Sequence, residues 1–394
     1  MTRDQPSVSA SLLPLATIVF TGFLCIGIPL PALTLHVHGT LGFDASTVGW
    51  VIGIQSFATI LTRQYAGAFC DRHGPRRAVL VGLPMAIAAA LLYLASTFIA
   101  APATSLMVLV LGRLLMGPAE SLFLTGTMTW GIGRLGAQRT GVVMAWQGIA
   151  MFAALGLGGP VGVALQQQHG FAGVAIVTAL LPLVGLCVAY ALPGFMAPAR
   201  AAGVRVGFKA VLGLIGRYGT ALAMSAMPVA ILNSFVVLFF ASRQWDGAGF
   251  AILCFAAGYI GPRLFLAHLA DRIGGIRVGA VSVVLELLGQ ALLWQADSAV
   301  AAYAGALLTG IGFSLVFPAM GVEAMARVPP HARGVAVGSF MAFVDLATGL
   351  TGPIVGLMIG LKGYPSAFIV GGVACAVAMG LMLTASPRTV AVQR

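Results

Sequence analysis

The sequence predicts an all-α membrane protein: twelve transmembrane helices in two pseudo-symmetric six-helix bundles. Three observations carry that expectation. Of the 394 residues, 59% are hydrophobic and 8% charged, with a mean hydropathy of +1.01, well beyond the roughly 45–50% apolar content of soluble domains. Apolar stretches of about 20 residues, long enough to cross a hydrocarbon core of about 30 Å as a helix, recur along the whole chain. The scarce charge gathers in GAFCDRHGPRRAVL at 67–80, which returns in worn form as AHLADRIGGIRVGA at 267–280.

The stretches fall at 12–35, 46–68, 77–100, 104–129, 141–165, 171–194, 213–240, 247–269, 277–296, 299–325, 334–360 and 364–386. They are continuous and rich in Leu, Ala, Val, Met and Gly, whereas a membrane-spanning strand would alternate over about 10 residues. The 52 Gly and 20 Pro suit membrane helices, where small residues let backbones approach and neighbours accommodate Pro. The first stretch exceeds the 7–15-residue core of a secretion signal and no small-residue cleavage site closes it, so it is expected to stay. The second and third flank the charged segment. The fourth carries Arg113, Gly117 and Glu120, and the fifth carries GLGGP at 156–160. The sixth leads into a basic loop near 195–212. The eighth and ninth flank the worn copy, the tenth carries GFSLVF, and the eleventh carries Asp345 and GLTGP at 349–353. The expected division is an N-terminal bundle 1–194, a linker 195–212 and a C-terminal bundle 213–394.

Eighteen of the 21 basic residues, Arg63 and Arg263 among them, fall on one side of this layout; Arg243 and Lys362 fall opposite and Arg113 inside a span. The positive-inside rule places both termini and the central loop in the cytoplasm, in a bacterial inner membrane. Basicity is thus topology and not a sign of nucleic-acid binding. The five cysteines are mutually distant in sequence and read as small apolar residues. His36 and His38, two residues apart on a helix, point about 200° apart, against a metal pair. No metal or other cofactor is expected.

Aligning Asp71 with Asp271 also aligns Arg63 with Arg263, Arg72 with Arg272, Gly74 with Gly274 and Arg77 with Arg277. Further on the offset is 193 residues: GRLLMGPAESL from Gly112 matches GALLTGIGFSL from Gly305, and GLGGP matches GLTGP. The halves are parallel repeats about an axis along the membrane normal.

On these residues the chain resembles the major facilitator superfamily over essentially its whole length. Gly67, Asp71, Arg72, Gly74, Arg76 and Arg77 match the family's signature between its second and third helices; the second copy, with Asp271 and Arg272, has Ala267 and Ile276 where Gly and a basic residue would stand. GIPLPAL, WDGAGFAIL, GFSLVFPAMGVEA and FVDLATGLTGP resemble the bacterial YhhS/YfcJ branch. The resemblance implies a gate in which Asp71 meets the positive start of the eleventh helix, supplied by VPPHARG at 328–334, while the arginines pair with acids or lipid headgroups. Arg113 in LVLGRLLMG stands where the family has an Arg in proton transfer. GLGGP echoes an antiporter motif, incomplete because Val163 replaces a Gly.

Arg113, Glu120, Glu286 and Asp345 lie inside spans, where an ionisable group is a functional candidate by default. Arg113, Gly117 and Glu120 share one helix face, with Gly117 leaving room for helix approach or substrate. Asp345 lies about 18 Å along its helix from Arg333, with no charge of its own helix to neutralise it, and is favoured as the proton carrier. Gln55, Gln147, Asn233 and Gln290 are candidates to hydrogen-bond a solute; Trp146 is a weaker candidate contact, more in keeping with packing. The two lysines, Lys209 and Lys362, are not followed by Ser or Thr, so no phosphate-cradling ATP loop exists. No nucleophile–base constellation marks an enzyme. The expected function is proton-coupled export of a small organic solute by a monomer, the alternative being uptake of a sugar or organic metabolite by symport.

Overall fold

A computed structural model describes residues 8–136, 139–194, 208–266, 269–328 and 333–384. The first crossing is α1 (Val8–Gly27), α2 (Pro29–Leu35) and a π-helical turn, His36–Thr40. Pro29 lacks the N–H that would continue α1 and instead opens α2 at a first-turn position, where none is needed. Then follow α3 (Ala45–His73), α4 (Pro75–Ser96) and α5 (Pro102–Leu135). α6 (Thr140–Ala191) contains two crossings, because Gly170 at φ 63° and ψ −172° folds it back on itself; only glycine adopts that backbone easily. The second half comprises α7 (Phe208–Ser242), α8 (Ala248–Leu266), α9 (Leu269–Ile273), α10 (Gly275–Trp294), α11 (Ala299–Met325), α12 (Arg333–Lys362) and α13 (Ser366–Leu383).

Among the described residues, ten helices are long and apolar enough to cross a membrane, and Ala248–Arg263 is a shorter apolar one. With α6 folded in two at Gly170, and α8 and α9 as one crossing, the count is twelve. The expected all-α, two-bundle fold is present. The first bundle packs α4 on α5, α1 on α6 and α3 on α5; the second packs α10 on α11, α8 on α11 and α7 on α12 and α13. α3 meets α12 and α6 meets α8 between the bundles. The end carrying the turns at Gly74 and Gly274 is called the basic end below.

The two charged turns are copies with exchanged parts. Gly74 and Gly274 both stand at positive φ, 86° and 94°, the conformation that requires Gly in each copy. Arg76 donates to the carbonyls of Ala189 (3.1 Å) and Tyr190 (2.9 Å), which the C-terminus of α6 leaves unpaired. Its counterpart is Ile276, and the equivalent carbonyl of Leu381 is served by Arg217 of α7 at 2.9 Å. Pro75 opens α4 without an N–H, so no acceptor is needed there from α5. In the copy, Gly275 has an N–H and donates it to Glu323 at 3.1 Å, a carboxylate at a helix N-terminus; Glu323 stands 193 residues after Trp130. Glu323 is 2% exposed and also pairs with Arg327 at 3.0 Å, so it belongs to the buried acids although the sequence reading left it out.

Cys25, Cys70 and Cys375 are buried and Cys187 is exposed, all free. His36 stacks on Phe171, and His38 bonds the Phe43 carbonyl at 2.8 Å and the Tyr364 hydroxyl at 3.3 Å, so the two rings do point apart.

Candidate functional site

Glycines set the geometry between the bundles. At the end away from the basic loops, Gly49 and Gly53 of α3 lie against the backbone of Gly352 and Gly349 of α12, and Gly356 lies against Ala45, with no room for a side chain at Gly49, Gly53, Gly352 or Gly356. The pseudo-symmetric seam joins α6 to α8. Gly249 abuts Pro160, Gly159 abuts Ile252, Gly156 abuts Ala256 and the ring of Phe152 lies 4.1 Å from that of Tyr259. Such close backbone approach is what small residues provide in membrane helices. The seams end at the level of Arg63 and Arg263. Beyond them, among the described residues, Gly67 and Gly141 have no atom within 4 Å of where a side chain would begin. The bundles are tightest away from the basic end and loosen toward it.

At the last contact of the α3–α12 seam, Arg63 pairs with Asp345 at 2.5 Å, the two side chains 15% and 16% exposed. Arg63 lies ten residues inside α3, about 15 Å from its end, and Asp345, with no basic residue close to it on its own helix, receives one from the opposite bundle. Glu120 of α5 lies beside this pair and feels the charges of both Asp345 and Arg63. It accepts from Gln55 at 3.0 Å and Thr59 at 3.3 Å. Gln55, Thr59 and Arg63 follow one another at four-residue steps on one face of α3, so the Glu120 partners and the Asp345 partner form one polar stripe.

Arg113 does not reach Glu120, although both stand on one face of α5. It is 2% exposed and donates to the carbonyls of Val51 (3.2 Å) and Ile52 (2.9 Å), tying α5 to α3. Gly117 serves the same contact, since a side chain there would sit 2.8 Å from the Gln55 carbonyl; it leaves room for helix approach and none for substrate. Glu286 is fully buried inside the second bundle, accepting from Ser225 of α7. Gln290 donates to Thr309 at 3.0 Å in the same interior. Gln147 follows the buried positions Val143, Ala150 and Ala154 on α6; neither end of its amide has a partner among the described residues. Asn233 bonds the Val229 carbonyl of its own helix at 3.0 Å, and Trp146 is half-buried against the first bundle's core. Of the residues expected to bind solute, Gln55 alone joins the Arg63 cluster.

Of the gate residues, Asp71, Arg72 and Arg77 are exposed, and Asp71 has no ion-pair or hydrogen-bond partner among the described residues. The expected receiving turn includes 329–332, which lie outside them, as does the side chain of Asp271. Arg272 is exposed.

Two bundles joined by glycine seams around intramembrane charge define the class, a membrane transporter and not an enzyme. The Major Facilitator Superfamily model matches residues 15–242 and 209–394, and the chain belongs to that family. It is 41% identical over 374 residues to the uncharacterized MFS-type transporter STM4428 of Salmonella typhimurium, covering 94% of this chain and 95% of that protein. It is 42% identical over 382 residues to the uncharacterized MFS-type transporter PA1993 of Pseudomonas aeruginosa, covering 95% and 94%. Among solved structures it resembles a bacterial homologue of the human lysosomal transporter Spinster, in the inward-facing, occupied conformation, with TM-score 0.77, 14% identity and 97% of each chain covered. The nucleoside transporter NupG gives 0.69 at 18% identity over 95% of this chain and 100% of that one. At those identities the likeness is one of fold.

Proposed function

We propose that this chain is a proton-coupled exporter of a small organic solute, exchanging it for protons by alternating access, as a monomer in the bacterial inner membrane with both termini in the cytoplasm. The observation that carries the reading is the Arg63–Asp345 pair on the same face of α3 whose Gln55 and Thr59 hold Glu120. One positive charge balances one carboxylate, so the cluster is neutral when it also holds one proton, and an unbalanced charge at this depth is costly. With Glu120 protonated, Arg63 belongs to Asp345 and ties α3 to α12. With Glu120 ionised, Arg63 is drawn toward the α5 side and the seam is weakened. In this reading Glu120, rather than the Asp345 favoured from the sequence, carries the proton, since Asp345 has Arg63 as its direct partner. The Gly-Pro segment singled out by the antiporter resemblance lies in the α6–α8 seam, with Gly156 and Gly159 packed against α8, which supports export.

The coupling is tested in everted vesicles holding an acid-interior gradient. A transported solute added from a panel of candidates should discharge the gradient in proportion to the amount of protein, and a panel member that is transported without discharging it counts against coupling.

Two further results are expected. A reporter fused after Arg394 should be active only in its cytoplasmic form; activity of a periplasmic reporter there would reverse the assigned orientation. Asp71→Asn keeps side-chain volume and removes the charge that favours a helix N-terminus. It should insert normally yet slow crosslinking between cysteines placed at His73 and Gly334, and unchanged crosslinking would remove Asp71 from the gate.

A further inference from the structure

The two seams are copies, but their charges are not. Arg263 repeats Arg63 at an offset of 200, and the alignment of GLGGP with GLTGP puts Phe152 where Asp345 stands in the other seam. The acid that neutralises Arg63 is thus replaced by a phenyl ring opposite Arg263. Among the described residues no carboxylate pairs with Arg263. Its guanidinium instead lies 4.7 Å from the ring centre of Tyr259 and 5.7 Å from that of Phe317, and it donates to the Tyr259 hydroxyl. Ring faces hold a cation in place without cancelling its charge. Beside it, a side-chain carbon on Gly148 would sit 3.2 Å from Nη1 and meet no other residue within 4 Å, so the glycine keeps one flank of the guanidinium clear. Phe152, half-buried, packs on the buried rings of Tyr259 and Phe313, with ring centres 4.1 to 5.8 Å apart.

We propose that Arg263 receives the anionic group of the transported solute, and that the solute is a small organic anion whose flat apolar body lies against Phe152, the half-buried ring of that stack. This rests on the reading of the chain as a solute transporter and names the solute's class. A half-buried arginine with a clear flank, at the level where the seam opens toward the basic end, offers a two-pronged fit to a carboxylate. The same group would suit an anionic lipid headgroup. Gly148 of α6, in the opposite bundle, faces the Arg263 guanidinium, which favours a solute that enters between the bundles.

The test is thermal unfolding of the detergent-purified full chain with benzoate as probe and benzamide as its uncharged counterpart, since a ligand bound to the folded state raises the melting temperature. Benzoate should raise it and benzamide should not. Arg263→Gln should abolish the benzoate shift. Phe152→Asp, which restores a counter-ion to Arg263, should abolish it while leaving the protein at least as stable without ligand, so that loss of binding is separated from misfolding. Equal shifts from benzoate and benzamide, no benzoate shift in the wild type, or a benzoate shift that survives both substitutions would overturn the proposal. A shift produced by phosphatidylglycerol alone would assign the site to a lipid headgroup and overturn it equally. Binding is read here without any gradient, so a negative result leaves the Glu120 proton step untouched, and loss of coupling in Glu120→Gln leaves this result untouched.

Discussion

Glu120→Gln is expected to leave downhill exchange of solute running while abolishing its accumulation against a gradient. Gln keeps the bonds to Gln55 and Thr59 within reach but fixes the neutral form. Each pH unit supplies about 1.4 kcal/mol per proton, so a two-unit gradient supports roughly 100-fold accumulation for one coupled proton. The variant should level off near a ratio of one. Asp345→Asn should lose accumulation as well, and in addition destabilise the fold by about 2–4 kcal/mol, since it leaves Arg63 without its partner across the seam. Solute ratios measured in proteoliposomes with an imposed pH gradient decide this: wild-type accumulation by Glu120→Gln would make the residue a structural one.

The second large effect is expected from Gly49→Val. Gly49 lies directly on the backbone of Gly352, and no rotamer relieves a clash between Cβ and main chain, so α3 and α12 must separate at the end away from the basic loops. Overpacking of this kind costs about 1–3 kcal/mol, and here the cost falls on the joined arrangement of the bundles in particular. Cysteines placed at Ser46 and Met358 should react with a membrane-impermeant thiol reagent several-fold faster in the variant, and transport should be largely lost. Gly67→Val, at a position facing open space in this arrangement, should leave the same labelling unchanged. Equal labelling in Gly49→Val and the parent would mean that the seam does not gate that end.

Much of this was legible in the sequence. Twelve apolar stretches, the paired charged segments and the matching GLGGP and GLTGP foretold the number of crossings and the repeat, because hydropathy and backbone satisfaction leave membrane chains few alternatives. The site was less legible, for reasons visible at single residues. The charge count registers Arg63 only by its side of the layout, although it stands inside its own stretch at 46–68 and well inside a 29-residue helix. Its pairing with Asp345 spans 282 positions and depends on how two bundles meet, which no local pattern encodes. Arg113 and Glu120 share a face, yet each bonds α3 independently, since carbonyls of a neighbouring helix compete with a carboxylate about 10 Å away along the axis. Glu323 passed unnoticed two residues from the end of its stretch; the signal was its offset of 193 from Trp130, together with Gly275 standing where the first copy has Pro75.

The most direct test of the central claim is to count protons and solute together. Proteoliposomes with a trapped pH-sensitive dye and a clamped membrane potential would be exposed to candidate solutes one at a time, with solute movement measured in parallel. The account predicts that a transported solute moves protons in the opposite direction at a fixed ratio in the wild type, and that Glu120→Gln moves solute without protons. Solute movement without proton movement in the wild type, or an unchanged ratio in Glu120→Gln, would contradict it.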